Sequence, residues 1–291
     1  MSTTISVIIP CFNAENFLDE CLTSVLCQTL RNIEIICIDD GSSDNTLDCL
    51  KSFEPRVPPT ISYKVLSQKN SGVSAARNLG IDVATGSFVC FLDPDDYYPS
   101  PNVLEKLYEA ANNHNVLICG GSFSRYLQKS KKIITDFSGD YINYKFSEFK
   151  KNNYSDYQYN YGFHRFVYKR DFLNENNIRF PLLSRYQDPL FMVEAFFKAK
   201  YFFSIPDITY VYRKEHRTTK QTFNNKKKIL DAFEGMNYLL NFAMKNNLEK
   251  LHHFVLNQQK EHIVSLVNEL EKVHSDHNLN ILNMLKKLWR S

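Results

Sequence analysis

The chain has 291 residues, of which 43% are hydrophobic and 23% are charged, and it contains only 9 Gly and 10 Pro. This composition is typical of a folded globular protein and excludes collagen-like, low-complexity and disordered chains. The formal net charge is +3, but the segment after His216 carries 12 Lys and Arg against 7 Asp and Glu, so this tail is basic and the preceding chain slightly acidic.

Four short runs of β-branched or aromatic residues predict buried strands, and the longer segments between them predict helices. The predicted strands are residues 5–10, 33–38, 61–66 and 88–92. The predicted helices, in which apolar residues recur at spacings of three and four, are residues 16–28, 44–53 and 72–84. Strands that alternate with helices indicate a mainly parallel sheet, whose ligands bind beyond the carboxyl ends of the strands.

Polar residues follow each predicted strand. Asn13 follows the first strand, residues 39–44 the second, residues 68–72 the third and residues 93–96 the fourth. We therefore expect four polar loops to converge on one edge of the sheet. The loop after the first strand lacks the GxGxxG pattern, and GxxxxGK[ST] occurs nowhere in the sequence, which argues against nicotinamide-dependent dehydrogenases and P-loop NTPases.

The loop after the fourth strand contains three carboxylates within four residues, Asp93, Asp95 and Asp96. Their mutual repulsion is costly unless positive charge lies among them, and Mg²⁺ or Mn²⁺ suits such oxygen ligands. In an extended segment Asp93 and Asp95 point to one side and Asp96 to the other. A solvated turn is the alternative interpretation.

Four motifs occur in order along the first 100 residues. They are SVIIP at 6–10, IDDGSSDNT at 38–46, NSGVSAARNLG at 70–80 and FLDPDD at 91–96. Together they resemble the family 2 glycosyltransferases, and a weaker match continues to about residue 216. The resemblance implies the α/β GT-A fold of nucleotide-diphospho-sugar transferases, a mainly parallel sheet flanked by helices. It also implies a sugar transferase that uses a nucleotide-sugar donor and a divalent metal and inverts the anomeric centre.

The resemblance assigns donor-binding roles to residues in, or directly after, the first three motifs. It implies that Pro10 and Phe12 line the nucleobase pocket and that Asp40 accepts a hydrogen bond from a uracil N–H. It further implies that Asn70 contacts the donor and that Arg77 contacts the base or the diphosphate. For Arg77, a solvated helix arginine is the alternative.

By the same resemblance, the acidic loop corresponds to the family's motif for binding the metal and the ribose. It implies Asp95 and Asp96 as ligands of Mn²⁺ or Mg²⁺, and Asp93 and Asp95 as donor contacts. Which of the three carboxylates ligates the metal stays open.

The second half of the chain supplies the acceptor side. Residues 163–168 predict a further strand and residues 190–199 a helix. Between them the family typically has Glu-Asp, so the resemblance implies Asp188 as the general base that accepts the proton of the acceptor hydroxyl. Gln187 departs from the family pattern. For Asp188, a helix N-cap is the alternative, because Pro189 follows at the helix start.

Two segments of the second half leave alternatives open. Residues 209–213 resemble the strand that closes the family's catalytic domain, and His216 beyond it either reaches the diphosphate or metal or is a surface histidine. The tyrosine-rich residues 141–161 are either a flap over the acceptor or an ordered insertion.

The predicted organisation is a catalytic domain at residues 1–216 and a helical C-terminal appendage at residues 217–291. Residues 1–100 form the donor half and residues 101–216 the acceptor half. In the appendage, residues 251–270 carry an apolar stripe, and residues 279–290 mix apolar, indole and basic side chains. This tail suits peripheral contact with an anionic membrane, packing on the catalytic domain, or a homo-oligomer through its helices.

The first residues lack a basic segment followed by a long apolar one, so we expect no secretory signal. The seven cysteines show no CxxC spacing, which favours free thiols in a reducing compartment. We expect a cytoplasmic protein, peripheral on the cytoplasmic face of the inner membrane if the tail binds lipid. The lysines of the tail are dispersed, which argues against nucleic-acid binding.

The sequence LDPDDY at residues 92–97 resembles enzymes of bacterial lipopolysaccharide and capsule synthesis. It implies a UDP-sugar donor that carries a hexose or an N-acetylhexosamine, and a glycan or glycolipid acceptor. The alternatives are a catalytically inactive nucleotide-sugar-binding module and a sugar nucleotidyltransferase. The second would need a glycine-rich basic phosphate loop near the N-terminus, which the sequence lacks.

Overall fold

The computed structural model describes residues 3–135, 144–216 and 226–271, without the side chains of residue 226 and residues 266–271. The described residues group into two compact units. The first contains the residues up to 182 together with those from 187 to 216, and the second contains residues 183–186 with the helices from residue 226 onward. The predicted domain boundaries at residues 100 and 216 stay predictions.

A mixed sheet forms the centre of the first unit. Its described strands are β1 (Ile5–Cys11), β2 (Glu34–Asp39), β3 (Ser62–Ser67), β4 (Phe88–Phe91), β5 (Ile118–Leu127), β6 (Lys132–Ile134), β7 (Lys150–Asn153), β8 (Phe166–Lys169) and β9 (Tyr201–Lys214). The strands lie in the order β3-β2-β1-β4-β8-β5-β9-β7, and β6 pairs with β5.

The first four strands agree with the sequence analysis. β1 pairs in parallel with β2 and β4, and β2 pairs in parallel with β3. Every residue of β1 and β2 is buried, as expected for parallel strands covered on both faces. Beyond β4 the sheet is mixed, because β8 runs antiparallel to both β4 and β5 while β5 and β9 are parallel.

Helices flank the sheet, and three of them coincide with the predicted crossovers. The described α-helices are α1 (Leu18–Leu26), α2 (Thr46–Ser52), α3 (Val73–Val83), α4 (Val103–Asn113), α5 (Tyr154–Tyr157), α6 (Arg170–Glu175), α7 (Gln187–Ala199), α8 (Lys226–Lys245) and α9 (Glu249–Glu271). Gly80 lets α3 approach β1, since a Cβ there would lie 2.4 Å from Cγ2 of Ile8.

The described part of the tyrosine-rich segment is an ordered insertion packed on the sheet. Tyr144 and Tyr154 are each only 1% exposed. The buried Arg165 donates to the carbonyls of Gly121 and Tyr144 and to the hydroxyl of Tyr157. The hypothesis of an acceptor flap is therefore wrong for Tyr144 and Tyr154, because tyrosines buried in the core have no freedom to close over a ligand. Tyr141 lies outside the described residues.

The second unit contains α8 and α9. The N–H and the hydroxyl of Ser184 donate to Asp231 of α8 at 2.6 and 2.5 Å, which joins residues 183–186 to this unit. Leu251 and Val255 of the predicted apolar stripe are buried. The rest of the stripe beyond residue 265 and the segment 279–290 lie outside the described side chains. Within the described part of the chain, no helix has the length and apolarity needed to cross a membrane.

Candidate active site

The predicted polar loops meet at one edge of the sheet. The N–H of Asp40 donates to the carbonyl of Cys11 at 2.8 Å, which joins the loops after β2 and β1. The side-chain oxygen of Asn13 accepts from the N–H of Ser43 at 2.8 Å across the same two loops. The N–H of Gln68 donates to the carbonyl of Asp39 at 2.9 Å and joins the loop after β3.

Asp40 braces the loop that leads into α3. Its Oδ1 accepts from the side-chain amide of Gln68 at 2.7 Å and from the N–H of Ser71 at 2.8 Å, and its Oδ2 accepts from the N–H of Gly72 at 2.9 Å. The residue is buried, at 4% exposure. The sequence did not predict this bracing, and the predicted contact of Asp40 with a uracil N–H stays a prediction.

Three other residues predicted to bind the donor differ in exposure. Pro10 is buried in β1 opposite Ile38 of β2. Phe12, directly after β1, exposes 50% of its surface, and Asn70 in the loop before α3 is exposed. An exposed phenyl ring at the sheet edge is chemically suited to stack on a planar base. The predicted roles of these three residues remain predictions.

Arg77 of α3 joins two carboxylates from distant parts of the sequence. One terminal nitrogen donates to Asp188 at 2.6 Å and the other to Asp93 at 2.7 Å. The guanidinium carbon lies 4.7 Å from the ring centre of Phe163 and 5.0 Å from that of Phe180. Arg77 is 2% exposed, so the alternative of a solvated helix arginine is wrong.

The charge of Arg77 is stabilised by its partners. Burial alone would lower the pKa of a guanidinium, but the negative charges of Asp188 and Asp93 outweigh burial and raise the pKa of Arg77. Arg77 is therefore a permanent cation between two acids. This arrangement supplies the positive charge that the acidic loop requires on its Asp93 side.

Asp96 is held by β9. Its Oδ2 accepts from the hydroxyl of Tyr210 at 2.6 Å and its Oδ1 from the N–H of Arg213 at 2.7 Å. Burial, followed by the charges of Asp95 and Asp93, raises the pKa of Asp96 well above its ordinary value. Both of its oxygens are engaged by the protein and only 1% of the residue is exposed, which argues against the predicted metal-ligating role of Asp96.

Asp95 contacts a histidine that the sequence analysis left open. Oδ2 of Asp95 lies 2.7 Å from Nε2 of His216, and the ring of His216 meets that of Phe17 edge-on with centres 5.1 Å apart. The side chain of His216 is 8% exposed, so the surface alternative is wrong. Its Nδ1 is buried and has no hydrogen-bond partner among the described residues.

These contacts fit a divalent cation at Asp95 and His216. A carboxylate and an imidazole are ligand types that Mn²⁺ accepts, and such ions commonly keep waters and substrate phosphates at their other positions. Among the residues that the structure describes, no group of three or more His, Cys, Asp or Glu side chains has the arrangement of a complete metal site.

Two residues of β9 that were not predicted from the sequence shape the acidic loop. The hydroxyl of Tyr210 accepts from the N–H of Asp93 at 3.1 Å, besides donating to Asp96. Arg213 donates from Nε to the carbonyl of Asp95 at 2.7 Å and pairs with Glu20 of α1. Their position in the predicted closing strand was the available signal, but a strand alone does not indicate which loop it supports.

Asp188 lies in the first turn of α7, which begins at Gln187. Its Oδ1 receives the hydrogen bond from Arg77, and its side chain is 35% exposed. Asp188 is not the N-cap of α7, because it lies inside the helix, and its carboxylate binds Arg77 instead. Gln187 is 9% exposed, and its Oε1 is buried without a hydrogen-bond partner among the described residues.

Residues 6–176 match the family model described as "Glycosyl transferase family 2". The chain belongs to glycosyl transferase family 2. This finding confirms the resemblance that the four motifs indicated and makes the chain a member of a family of transferases.

Two relatives of this family 2 chain come from Bacillus subtilis. It is 30% identical to the uncharacterized glycosyltransferase EpsJ over 73% of this chain and 62% of that protein, and 26% identical to the putative glycosyltransferase EpsH over 76% and 64%. The chain thus matches less than two thirds of the length of these relatives. It is also 29% identical to the poly(ribitol-phosphate) beta-glucosyltransferase of Bacillus spizizenii over 72% of this chain and 32% of that protein.

Solved structures share the fold of this family 2 chain. Residues 1–349 of S. aureus TarS in complex with UDP-GlcNAc align with a TM-score of 0.67 at 20% identity, over 94% of this chain and 82% of that one. The mannosyltransferase PcManGT from Pyrobaculum calidifontis, in complex with GDP-Man and Mn²⁺, aligns with a TM-score of 0.60 at 14% identity, over 100% and 81%. The predicted GT-A fold class is confirmed.

Proposed function

We propose that this family 2 chain is a metal-dependent, inverting glycosyltransferase. It transfers a hexose or an N-acetylhexosamine from a UDP-sugar to a hydroxyl of a bacterial surface glycan or glycolipid. Asp188 is the general base. The observation that carries the proposal is the bridge from Asp93 through Arg77 to Asp188, because it joins the acidic loop of the donor half to a partly exposed carboxylate of the acceptor half.

The donor side of the proposal rests on the loops at the sheet edge. Phe12 offers an exposed ring for the base, and Asp40, which follows β2, accepts hydrogen bonds from the N–H groups of Ser71 and Gly72 in the loop that precedes α3. TarS in complex with UDP-GlcNAc shares this fold, which supports a UDP-sugar. The name of the beta-glucosyltransferase relative supports a hexose.

Asp188 performs the proton transfer in this proposal. Its carboxylate accepts the proton of the acceptor hydroxyl while the hydroxyl oxygen attacks the anomeric carbon from the face opposite the diphosphate. The bond from that carbon to the diphosphate oxygen breaks in the same step, so the configuration inverts. A single displacement requires no covalent nucleophile on the enzyme.

The residues proposed to hold the divalent cation are Asp95 and His216. When bound, the cation offsets the negative charge that develops on the departing diphosphate. The complex of PcManGT with Mn²⁺ supports this assignment by fold alone. The other two carboxylates of the loop bind the protein itself. Asp93 accepts from Arg77, and Asp96 accepts from Tyr210 of β9.

The proposed acceptor is a surface glycan or glycolipid, and the C-terminal tail is proposed to contact the membrane. Synthesis of a lipopolysaccharide or capsule would place the acceptor at the inner membrane, where the basic, apolar tail would bring the enzyme to it as a peripheral protein on the cytoplasmic face. Removal of residues 277–291 should then weaken binding to anionic vesicles and leave hydrolysis of the donor unchanged. Equal vesicle binding by the two forms would reject this contact.

Release of UDP tests the proposed function. The full-length chain is incubated with UDP-glucose, UDP-galactose and UDP-N-acetylglucosamine in Mn²⁺, with water as the acceptor. We expect UDP release from one of the three, and none in excess chelator. No release from any UDP-sugar would contradict the donor class, and undiminished release in chelator would contradict the metal role.

A further inference from the structure

Arg77 connects three separate elements of the site. It belongs to α3, Asp93 follows β4, and Asp188 belongs to the first turn of α7. Each of its two terminal nitrogens donates to a different carboxylate, at 2.6 Å for Asp188 and 2.7 Å for Asp93. The guanidinium is therefore the direct link between the acidic loop and the proposed base.

The link is rigid for two reasons. A guanidinium is planar, so the separation of its terminal nitrogens does not change, whereas a lysine ammonium is a point charge on a flexible stem. The rings of Phe163 and Phe180 also lie within 4.7 and 5.0 Å of the guanidinium carbon of Arg77. The burial of Arg77 leaves little room for another rotamer.

We infer that Arg77 is a positioning residue that holds the Asp188 carboxylate at a set distance and angle from the acidic loop. This inference rests on the proposed function, because it takes Asp188 as the base. It differs from the role that the resemblance implies for Arg77, which is contact with the base or the diphosphate of the donor. A guanidinium committed to two carboxylates acts on the reaction through them.

The two roles predict different kinetics for Arg77→Lys. Loss of a donor contact would weaken UDP binding and raise KM for the UDP-sugar. Loss of a positioning contact should lower kcat, by about 100-fold for a displacement of about 1 Å, and leave UDP affinity near that of wild type. UDP release by the full-length chain in Mn²⁺ gives kcat and KM, and calorimetry with UDP gives the affinity. A wild-type kcat, or a lost UDP affinity, would overturn the inference.

A double-mutant cycle separates this inference from the proposed function. If Arg77 acts through Asp188, adding Arg77→Lys to Asp188→Asn should lower kcat no further. Additive losses would mean that Arg77 acts elsewhere and would overturn the inference while the base assignment stands. A wild-type kcat in Asp188→Asn alone would instead overturn the base assignment, and the inference with it.

A pH profile gives a readout that a purely structural role would not move. Arg77→Gln removes the positive charge beside Asp188, so the acidic limb of the kcat profile should shift to higher pH. Arg165→Gln is the matched control, because Arg165 is equally buried among aromatic rings but donates to carbonyls and a tyrosine hydroxyl. The Arg165 variant should lower the melting temperature and leave the acidic limb of the kcat profile at its wild-type pH.

An unmoved acidic limb in Arg77→Gln, or the same shift in Arg165→Gln, would overturn the inference. Circular dichroism and the melting temperature report whether each variant is folded. Should Arg77→Gln fail to fold, Arg77→Lys decides the outcome through kcat and the cycle, because it keeps the buried charge.

Discussion

The three carboxylates of the acidic loop have three different sets of partners. Asp93 binds Arg77, Asp95 binds His216, and Asp96 accepts from donors of β9. Three acids within four residues are therefore compatible with a folded loop because each is matched to its own donor. The adjacent Asp95 and Asp96 should respond to substitution in different ways.

Asp95→Asn should abolish Mn²⁺ binding in the presence of UDP and leave the melting temperature close to that of wild type. Asparagine presents only one carbonyl oxygen and no charge to the ion. Calorimetric titration with Mn²⁺ measures the binding. Wild-type Mn²⁺ affinity in this variant would contradict the assignment of Asp95.

Asp96→Asn should instead lower the stability. The amide nitrogen of asparagine would face either the hydroxyl of Tyr210 or the N–H of Arg213, both of which donate to Asp96. An unsatisfied buried donor costs about 1–3 kcal/mol, and urea denaturation measures this loss. Unchanged stability together with lost Mn²⁺ binding would restore Asp96 as the metal ligand.

At the scale of elements, the regular alternation of strands and helices in the first 100 residues was predictable from the sequence, whereas β5, β6 and β7 were not predicted and β8 and β9 were predicted only in part. The apolar runs of β1 to β4 and the periodic helices between them predicted most of the donor half within a few residues. β5 was missed because Gly120, Gly121, Ser122 and Ser124 interrupt its apolar run, although all four are buried. β8 begins at Phe166, three residues later than predicted, because a 3₁₀ turn occupies Phe163–Arg165.

Gly120 allows β5 to pack beside β8. A Cβ at this position would lie 2.0 Å from Cδ1 of the fully buried Phe166. Gly120→Ala should therefore lower the free energy of unfolding by about 1–3 kcal/mol, measured by urea denaturation. Phe166→Leu in the same chain should recover part of that loss. Wild-type stability of Gly120→Ala would contradict the close packing.

At the scale of the whole molecule, the site depends on contacts between residues far apart in the sequence. Arg77 and Asp188 are 111 positions apart, and Asp95 and His216 are 121 apart. The motifs predicted that acidic and polar loops share one edge, because parallel strands end together. They could not predict which donor faces which carboxylate, since that depends on the antiparallel insertion of β8 and on the path of β9.

Stability of the whole protein should fall at mildly acidic pH because of His164. Burial, followed by the charges of Arg165, Arg77 and Lys214, lowers the pKa of His164 well below its ordinary 6.5. The unfolded chain therefore binds one more proton below pH 6.5, so the free energy of unfolding falls as pH falls, by about 1.4 kcal/mol per pH unit.

Urea denaturation between pH 7 and pH 5 measures this slope. His164→Phe keeps an aromatic ring beside Tyr210 and should make the slope shallower. His253→Ala removes an exposed histidine and serves as the control. A slope equal to wild type in His164→Phe would contradict a neutral buried imidazole.

The most direct test of the account is UDP release by Asp188→Asn compared with wild type, on the same UDP-sugar in the same Mn²⁺ buffer, with UDP affinity measured by calorimetry. A general base acts on the acceptor and not on the nucleotide. We therefore expect release to fall by about 10²–10⁴-fold with UDP affinity unchanged. Release near the wild-type rate, or loss of UDP affinity, would contradict the assignment of Asp188 as the base.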